Sequence, residues 1–199
     1  AIIGALGSGF FLMPWLGYAG LVAVAVGVNL LLAFVMALFA ERRSLLVATA
    51  AALAGLALII VPPATPWTLI GTSPLSLGRE TRPPEFFAVG RTAGVAVGLE
   101  GGVFKLRTNG LPEGVMLPPR RYRRAIPDRW LGALPSLARP DARHMLVVGL
   151  GAGTALEAIS RTLEDIDVIE LEPRVLEANQ RFRARRAIDP LGLPGLHLQ

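Results

Sequence analysis

Three glycines at alternate positions, Gly149, Gly151 and Gly153, follow an apolar run over residues 145–148, and a carboxylate, Glu170, stands 21 residues beyond the first of them. The chemistry these types permit is recognition of a nucleoside. Glycine lets a ligand approach the main chain with no Cβ in the way and supplies the dihedrals of a tight strand-to-helix bend. A carboxylate accepts two hydrogen bonds from a ribose cis-diol, and a separation of about 20 residues sets that acid opposite the glycine turn of a doubly wound sheet. A tight structural turn without a ligand is the alternative. A nicotinamide dinucleotide is the rival ligand, but Thr154 stands where a GxGxxG pattern has its last glycine.

Such residues must be held by strand, turn, helix, strand and helix in succession. Residues 145–148 are too few for a helix and are bounded by charge and glycine, so they predict a buried parallel strand. Beyond the turn, Leu156, Ile159 and Leu163 share one face at i, i+3 and i+7, which predicts a helix. "DIDVIELEP" predicts a second strand over 166–171 that carries Glu170 and is followed by Glu172. Pro173 then opens a helix whose Val175, Ala178 and Phe182 face the sheet.

Other chemistries find less support. Without cysteine there is no disulfide framework and no thiolate metal site, and His144 and His197 read as isolated, so no metal is expected. The formal net charge of +5 rests on nineteen arginines and one lysine, Lys105, spread rather than striped along the chain, so nucleic acid is not an expected partner.

Charge is distributed unevenly between the two ends. Glu41, Arg42 and Arg43 are the charged residues before Arg79. Residues 21–40, with Asn29 the one strongly polar side chain, match the roughly 20 residues that cross about 30 Å of hydrocarbon. Residues 1–16 are equally uncharged; Pro14 and the glycines end a helix there, and Trp15 and Tyr18 suit a membrane interface. Residues 44–61 form a third candidate, stopped by Pro62 and Pro63. Gly4, Ala5 and Gly9 would allow close helix approach in lipid. The expected domains are therefore transmembrane helices over 1–61 (about three spans, the first truncated), with the lipid bilayer as partner, and a proline-rich linker over 62–84. A small β domain with a basic loop is expected over 85–128, and a nucleoside-binding α/β domain over 129–199. The first and last residues read as the ends of a fragment.

Within the small β domain, Val95, Val97 and Leu99 alternate, "EGG" turns the chain, and Phe104 and Leu106 resume the alternation up to the turn at Asn109 and Gly110. A hairpin or three-stranded meander follows from this pattern. Arg120, Arg121, Arg123, Arg124 and Arg129 around Tyr122 read as a solvated basic loop or as a patch for anionic headgroups.

"VGRTAGVAVGLEGGVFKLRTNGLPEG", "RWLGALPSLARPDARHMLVVGLGAGTALEAI" and "IDVIELEPRVLEANQRF" together resemble the spermidine synthase-like proteins, polyamine aminopropyltransferase relatives fused to a multi-span, major-facilitator-like membrane region. The resemblance implies an α-helical transmembrane segment followed by α/β structure. The latter would be a small β domain and the first half of a Rossmann-like sheet of the S-adenosylmethionine methyltransferase type. It implies that Gly149, Gly151, Ala152 and Gly153, with Glu170 and Leu171, bind S-adenosylmethionine or its decarboxylated form as co-substrate, Glu170 taking the ribose. The acceptor is implied to be a small-molecule amine.

The pattern also departs from that family. The family's aspartate is replaced by Ala152 and its glutamine by Glu113. Its tyrosine-and-histidine segment reads "RWLGALPSLARP". The catalytic acid is expected beyond Gln199, so no catalytic residue is named in this chain. A noncatalytic nucleoside sensor or transport-associated module stays open beside the transferase. Because S-adenosylmethionine is a cytosolic metabolite, the α/β part is expected in the cytoplasm at a bacterial inner membrane, against the vote of Arg42 and Arg43.

Overall fold

The computed structural model describes residues 2–37, 42–61, 83–123 and 126–199 and divides into two units, Ala1–Pro66 and Trp67–Gln199. Residues 62–82 of the expected linker and Arg124 of the basic segment lie outside the described residues.

The first unit is helical. Helix α1 (Ile2–Leu6) passes through a π-helical turn (Gly7–Leu12) into α2 (Met13–Ala37). The bend sits at Gly17, whose φ of 66° and ψ of −175° lie outside the helical region and would strain any side chain. Pro14 is accommodated within α2, so the glycine rather than the proline makes the break. The two expected stretches thus form one run, Ile2–Met36, and it alone among the described residues is both long and apolar enough to cross a membrane. Asn29 Nδ2 donates to Ala25 O at 2.8 Å, which satisfies that polar group within its own helix.

Helix α3 (Arg42–Ile60) packs along α2. The close contact falls at Gly55, where a Cβ would lie 2.7 Å from Leu30 Cδ2. No atom among the described residues lies within 4 Å of a Cβ built on Gly4 or Gly9.

The second unit is α/β, with one antiparallel and one parallel sheet. Strands β1 (Phe86–Val89), β2 (Gly94–Glu100), β3 (Val103–Thr108) and β4 (Leu111–Met116) form an antiparallel meander in that order. Asn109 and Gly110 turn the chain with φ of 51° and 80°, both left-handed, as a two-residue hairpin requires. A fourth strand follows where three were expected. Pro112 is tolerated in it because β4 is an edge strand and a bulge interrupts its register beside Arg107. Val95, Val97 and Leu106 turn inward, whereas Leu99 is exposed at the strand end.

Helix α4 (Asp128–Ala138) leads to the parallel sheet of β5 (His144–Val148), β6 (Asp165–Ile169) and β7 (Leu196–Leu198), ordered β5-β6-β7. Helix α5 (Pro173–Phe182) connects β6 to β7. Both sheets contribute to one core, in which Val97, Phe104 and Leu106 meet Val168, Val175 and Phe182. The rings of Phe104 and Phe182 stand 5.0 Å apart.

Two expectations change here. Strand β5 is covered on one side: Met145 and Val147 pack against the core, while Leu146 and Val148 are 62% and 76% exposed. Crossovers of one hand put α5 and the first connection on the same face of the sheet, which leaves the other face of β5 bare among the described residues. The helix predicted through Leu156, Ile159 and Leu163 is a single 3₁₀ turn, Leu156–Ala158. Tertiary hydrogen bonds compete with helix there: Ile159 turns extended, and Ser160 N donates to Ser136 Oγ at 3.0 Å instead of continuing the helix. The backbone of Ala155 also lies so close to Gly132 of α4 that a Cβ at 132 would overlap it. Leu156 and Leu163 are buried all the same.

Candidate functional site

The glycine turn begins at the carboxyl end of β5, where Gly149 N donates to Ile169 O at 2.8 Å and extends the parallel pairing by one residue. Its three glycines have φ of 87°, 51° and 70°. They do different work. No atom approaches within 4 Å of a Cβ built on Gly149, so that main chain is open. At Gly153 a Cβ would lie 2.7 Å from Pro190 Cγ and 3.2 Å from Asn179 Oδ1, so glycine is needed there for packing. Gly151 lies between, with Glu113 O the one neighbour, 3.9 Å from the Cβ position.

Ala152 is buried, and its Cβ lies 2.8 Å from the Cβ position of Gly114 on β4. Next to it, Thr154 Oγ1 donates to Val115 O at 2.6 Å. The turn is therefore seated on β4, and residue 152 points into that seat rather than into open space.

Glu170 comes to the turn as its spacing predicts. Its Oε2 accepts from Leu150 N at 2.8 Å, and its Oε1 accepts from Glu172 N at 2.9 Å. Because β6 ends at Ile169 rather than at 171, Glu170 lies just past the strand, where its side chain can reach across to the next loop. An ionised carboxylate offers about four acceptor positions, so two backbone bonds leave capacity for a ligand hydroxyl pair. Leu171 follows it with its side chain 82% exposed, an apolar surface beside the acid.

Glu172 has a role that the spacing does not suggest. Its carboxylate is buried, with Oε2 accepting from Thr92 N at 3.0 Å and Thr92 Oγ1 at 2.8 Å, and Oε1 accepting from Arg174 N at 3.1 Å. It caps α5 and anchors the turn between β1 and β2 in one contact. Gly90 is required beside it, since the Glu172 carboxylate occupies the place of a Cβ there. Burial pushes the Glu172 carboxyl up, but the surrounding N–H groups and the Thr92 hydroxyl outweigh it and hold it below the usual carboxylate range. The sequence signal for this cap was Pro173, a residue type common at a helix's first position.

The basic segment is partly structural. Arg129 lies over the Tyr122 ring, 4.2 Å from its centroid, and pairs with Glu157 at 2.9 Å, so it is turned inward rather than offered to headgroups. The two histidines are not isolated: His144 Nδ1 lies 2.9 Å from Asp165 Oδ2, and His197 Nε2 lies 3.4 Å from Asp165 Oδ1. Sequence distance concealed this because the three residues sit on three neighbouring parallel strands. Among the described residues no group of three such side chains is arranged to hold a metal ion.

No family model matches this chain, and no curated protein does. Among solved structures it is similar to a spermidine synthase in complex with the transition state analogue AdoDATO, at 14% identity and a TM-score of 0.48 over 58% of this chain and 38% of that one. It is also similar to the spermidine synthase from Thermotoga maritima, at 14% identity and a TM-score of 0.47 over 57% of this chain and 39% of that one. The chain spans about two-fifths of the length of these structures.

Proposed function

We propose that this chain belongs to a membrane-anchored, spermidine synthase-like transferase that binds S-adenosylmethionine or its decarboxylated form, with aminopropyl transfer to an amine of polyamine biosynthesis as its reaction. The reading treats residues 129–199 as the first half of a Rossmann-like sheet. One observation carries it: the Glu170 carboxylate is held at the glycine turn, 2.8 Å from Leu150 N, beside the open main chain of Gly149. Ligands of open α/β sheets bind outside the carboxyl ends of the strands, and that is where these groups lie. Glu170 would take the ribose diol with its remaining acceptor positions, and the exposed Leu171 would lie against the purine face.

Transfer of this kind is an in-line displacement. The amine nitrogen forms a bond to the carbon beside the sulfonium, the carbon–sulfur bond breaks, and a neutral thioether leaves while the amine proton passes to a base. The protein contributes position and a proton acceptor. This chain's share is the nucleoside end; Glu170 binds and takes no proton. The apolar run Ile2–Met36 supports the membrane anchor. A cytosolic co-substrate supports a cytoplasmic α/β unit, which protease protection in oriented vesicles tests.

A second reading, a noncatalytic nucleoside-binding module, is favoured by Ala152. That side chain carries no charge and is packed against Gly114, so the turn offers no carboxylate at this position for the amino end of a ligand. Calorimetry on the full chain in detergent tests both readings, with S-adenosylmethionine, its decarboxylated form and NAD as probes. The proposal expects a sulfonium nucleoside to bind and Glu170→Ala to weaken it at least about tenfold, the scale of a charged hydrogen bond. Binding of NAD alone, or an unaltered affinity in the variant, overturns it. Turnover with putrescine by a protein that carries this chain together with the residues expected beyond Gln199 separates transferase from module.

A further inference from the structure

Behind the glycine turn lies a polar relay that the nucleoside reading leaves unused. Asn179 is completely buried on the apolar face of α5, four residues from Val175. Its Nδ2 donates to Gly151 O at 2.8 Å and to Val175 O at 2.9 Å, while its Oδ1 accepts from a terminal nitrogen of Arg186 at 3.0 Å. The amide orientation is thereby settled, since exchanging O and N would set oxygen against two carbonyls. Arg186 in turn pairs with Glu157 Oε1 at 2.7 Å, and the two side chains are 0% and 1% exposed. Glu157 Oε2 receives Arg129 at 2.9 Å.

The Asn179 side chain therefore holds the turn through the Gly151 carbonyl, and its Oδ1 occupies space that a side chain on Gly153 would need, 3.2 Å from the place of a Cβ there. A glycine-rich segment has more conformational freedom to lose on ordering than any other, and a ligand that had to order it would bind more weakly. A buried amide among Val175, Ala178 and Phe182 is costly unless its hydrogen bonds are used, and all of these are.

We infer that Asn179 is a positioning residue for the nucleoside. It fixes the Gly151 carbonyl and so shapes the Gly149–Gly153 main chain before the ligand arrives, and the Glu157–Arg186 pair holds Asn179 in place. This rests on the nucleoside reading given above and extends it to a residue outside the ligand's reach.

The test uses the full chain in detergent and two variants. Asn179→Asp keeps the size and the oxygen facing Arg186 but turns an acceptor toward the Gly151 and Val175 carbonyls. Asn179→Ala removes both donors without repulsion and decides the matter if the first variant fails to fold. Two quantities are read well below each variant's unfolding midpoint: the calorimetric Kd for S-adenosylmethionine and its decarboxylated form, and amide exchange in the ligand-free protein. Binding is expected to weaken about tenfold or more, the scale of one hydrogen bond. Exchange over residues 149–154 is expected to rise while β2 and β3 keep their wild-type protection. Unaltered affinity in the folded variants, or exchange raised evenly over the whole unit as for a merely structural residue, overturns the inference. If the unaltered chain binds neither nucleoside, the functional reading fails and takes this one with it. If it binds and the variants bind equally well, this inference alone is lost.

Discussion

Replacing Glu172 by glutamine tests how the β-meander is joined to the part of the fold that carries the parallel sheet. The carboxylate is 4% exposed and receives three hydrogen bonds, two of them from Thr92 on the far side of the contact. A glutamine of the same size can keep its oxygen toward Arg174 N, but its NH₂ then faces the Thr92 N–H, donor against donor. Hydrogen bonds to a charged acceptor are worth about 1.5–3 kcal/mol each, and the amide escapes part of the desolvation that a carboxylate suffers. The expected net loss at pH 7 is about 2 kcal/mol.

The same loss should be pH-dependent in a definite direction. The native carboxyl is held below the usual range, so the wild type's advantage is fully present above the unfolded value of about 4.3 and disappears as pH falls through the lower native value. Protonated Glu172 then resembles the glutamine. Hydrogen exchange of the full chain in detergent, read on peptides covering 86–97 and 170–182 across pH 3–7, measures the opening free energy of both proteins. A gap under about 0.5 kcal/mol at pH 7 would refute the reasoning, since ordinary surface changes reach that size. So would a gap that stays constant through the acid range.

Three further substitutions separate the parts of the unit. Gly153→Ala meets Pro190 at 2.7 Å in a residue with φ of 70°, so it should cost about 2–4 kcal/mol, seen as a lowered unfolding midpoint. Gly149→Ala faces open space at φ of 87° and should cost only the backbone strain, about 1–2 kcal/mol, while weakening nucleoside binding in calorimetry. Phe182→Ala empties the core beneath Phe104 and should cost about 3–5 kcal/mol, lowering protection in both sheets together if the shared core is real.

Residues near one another in the chain declared their arrangement early. Asn109 and Gly110 marked a hairpin because left-handed dihedrals suit few other pairs, and the inward direction of Val95, Val97 and Leu106 followed from the two-residue period of a strand, although Ala96 is buried as well and Leu99 is exposed. Gly149, Gly151 and Gly153 marked the bend, and the position of Glu170 followed from the length of a strand-and-connection unit, whatever form that connection takes. The connection itself departs from its pattern: Leu156, Ile159 and Leu163 have helical spacing, yet Ser136 and Gly132 of α4 supply contacts that outcompete a second helical turn. The hairpin or three-stranded meander read from the alternation has a further strand, β4, whose Pro112 is accommodated at the sheet edge.

By itself the sequence determined where the chain is continuously apolar, where it bends, and which acid can face the glycines, because each of these depends on composition, on intrinsic conformational preference or on a short fixed spacing. Tertiary structure alone decided that Glu172 ties the turn before β2 to α5, that Asn179 reaches Gly151, that Arg186 and Glu157 are buried together, and that His144 and His197 share Asp165. Those contacts join residues from different strands and helices, and their strength comes from burial, a property that no local run of residues carries before the elements pack.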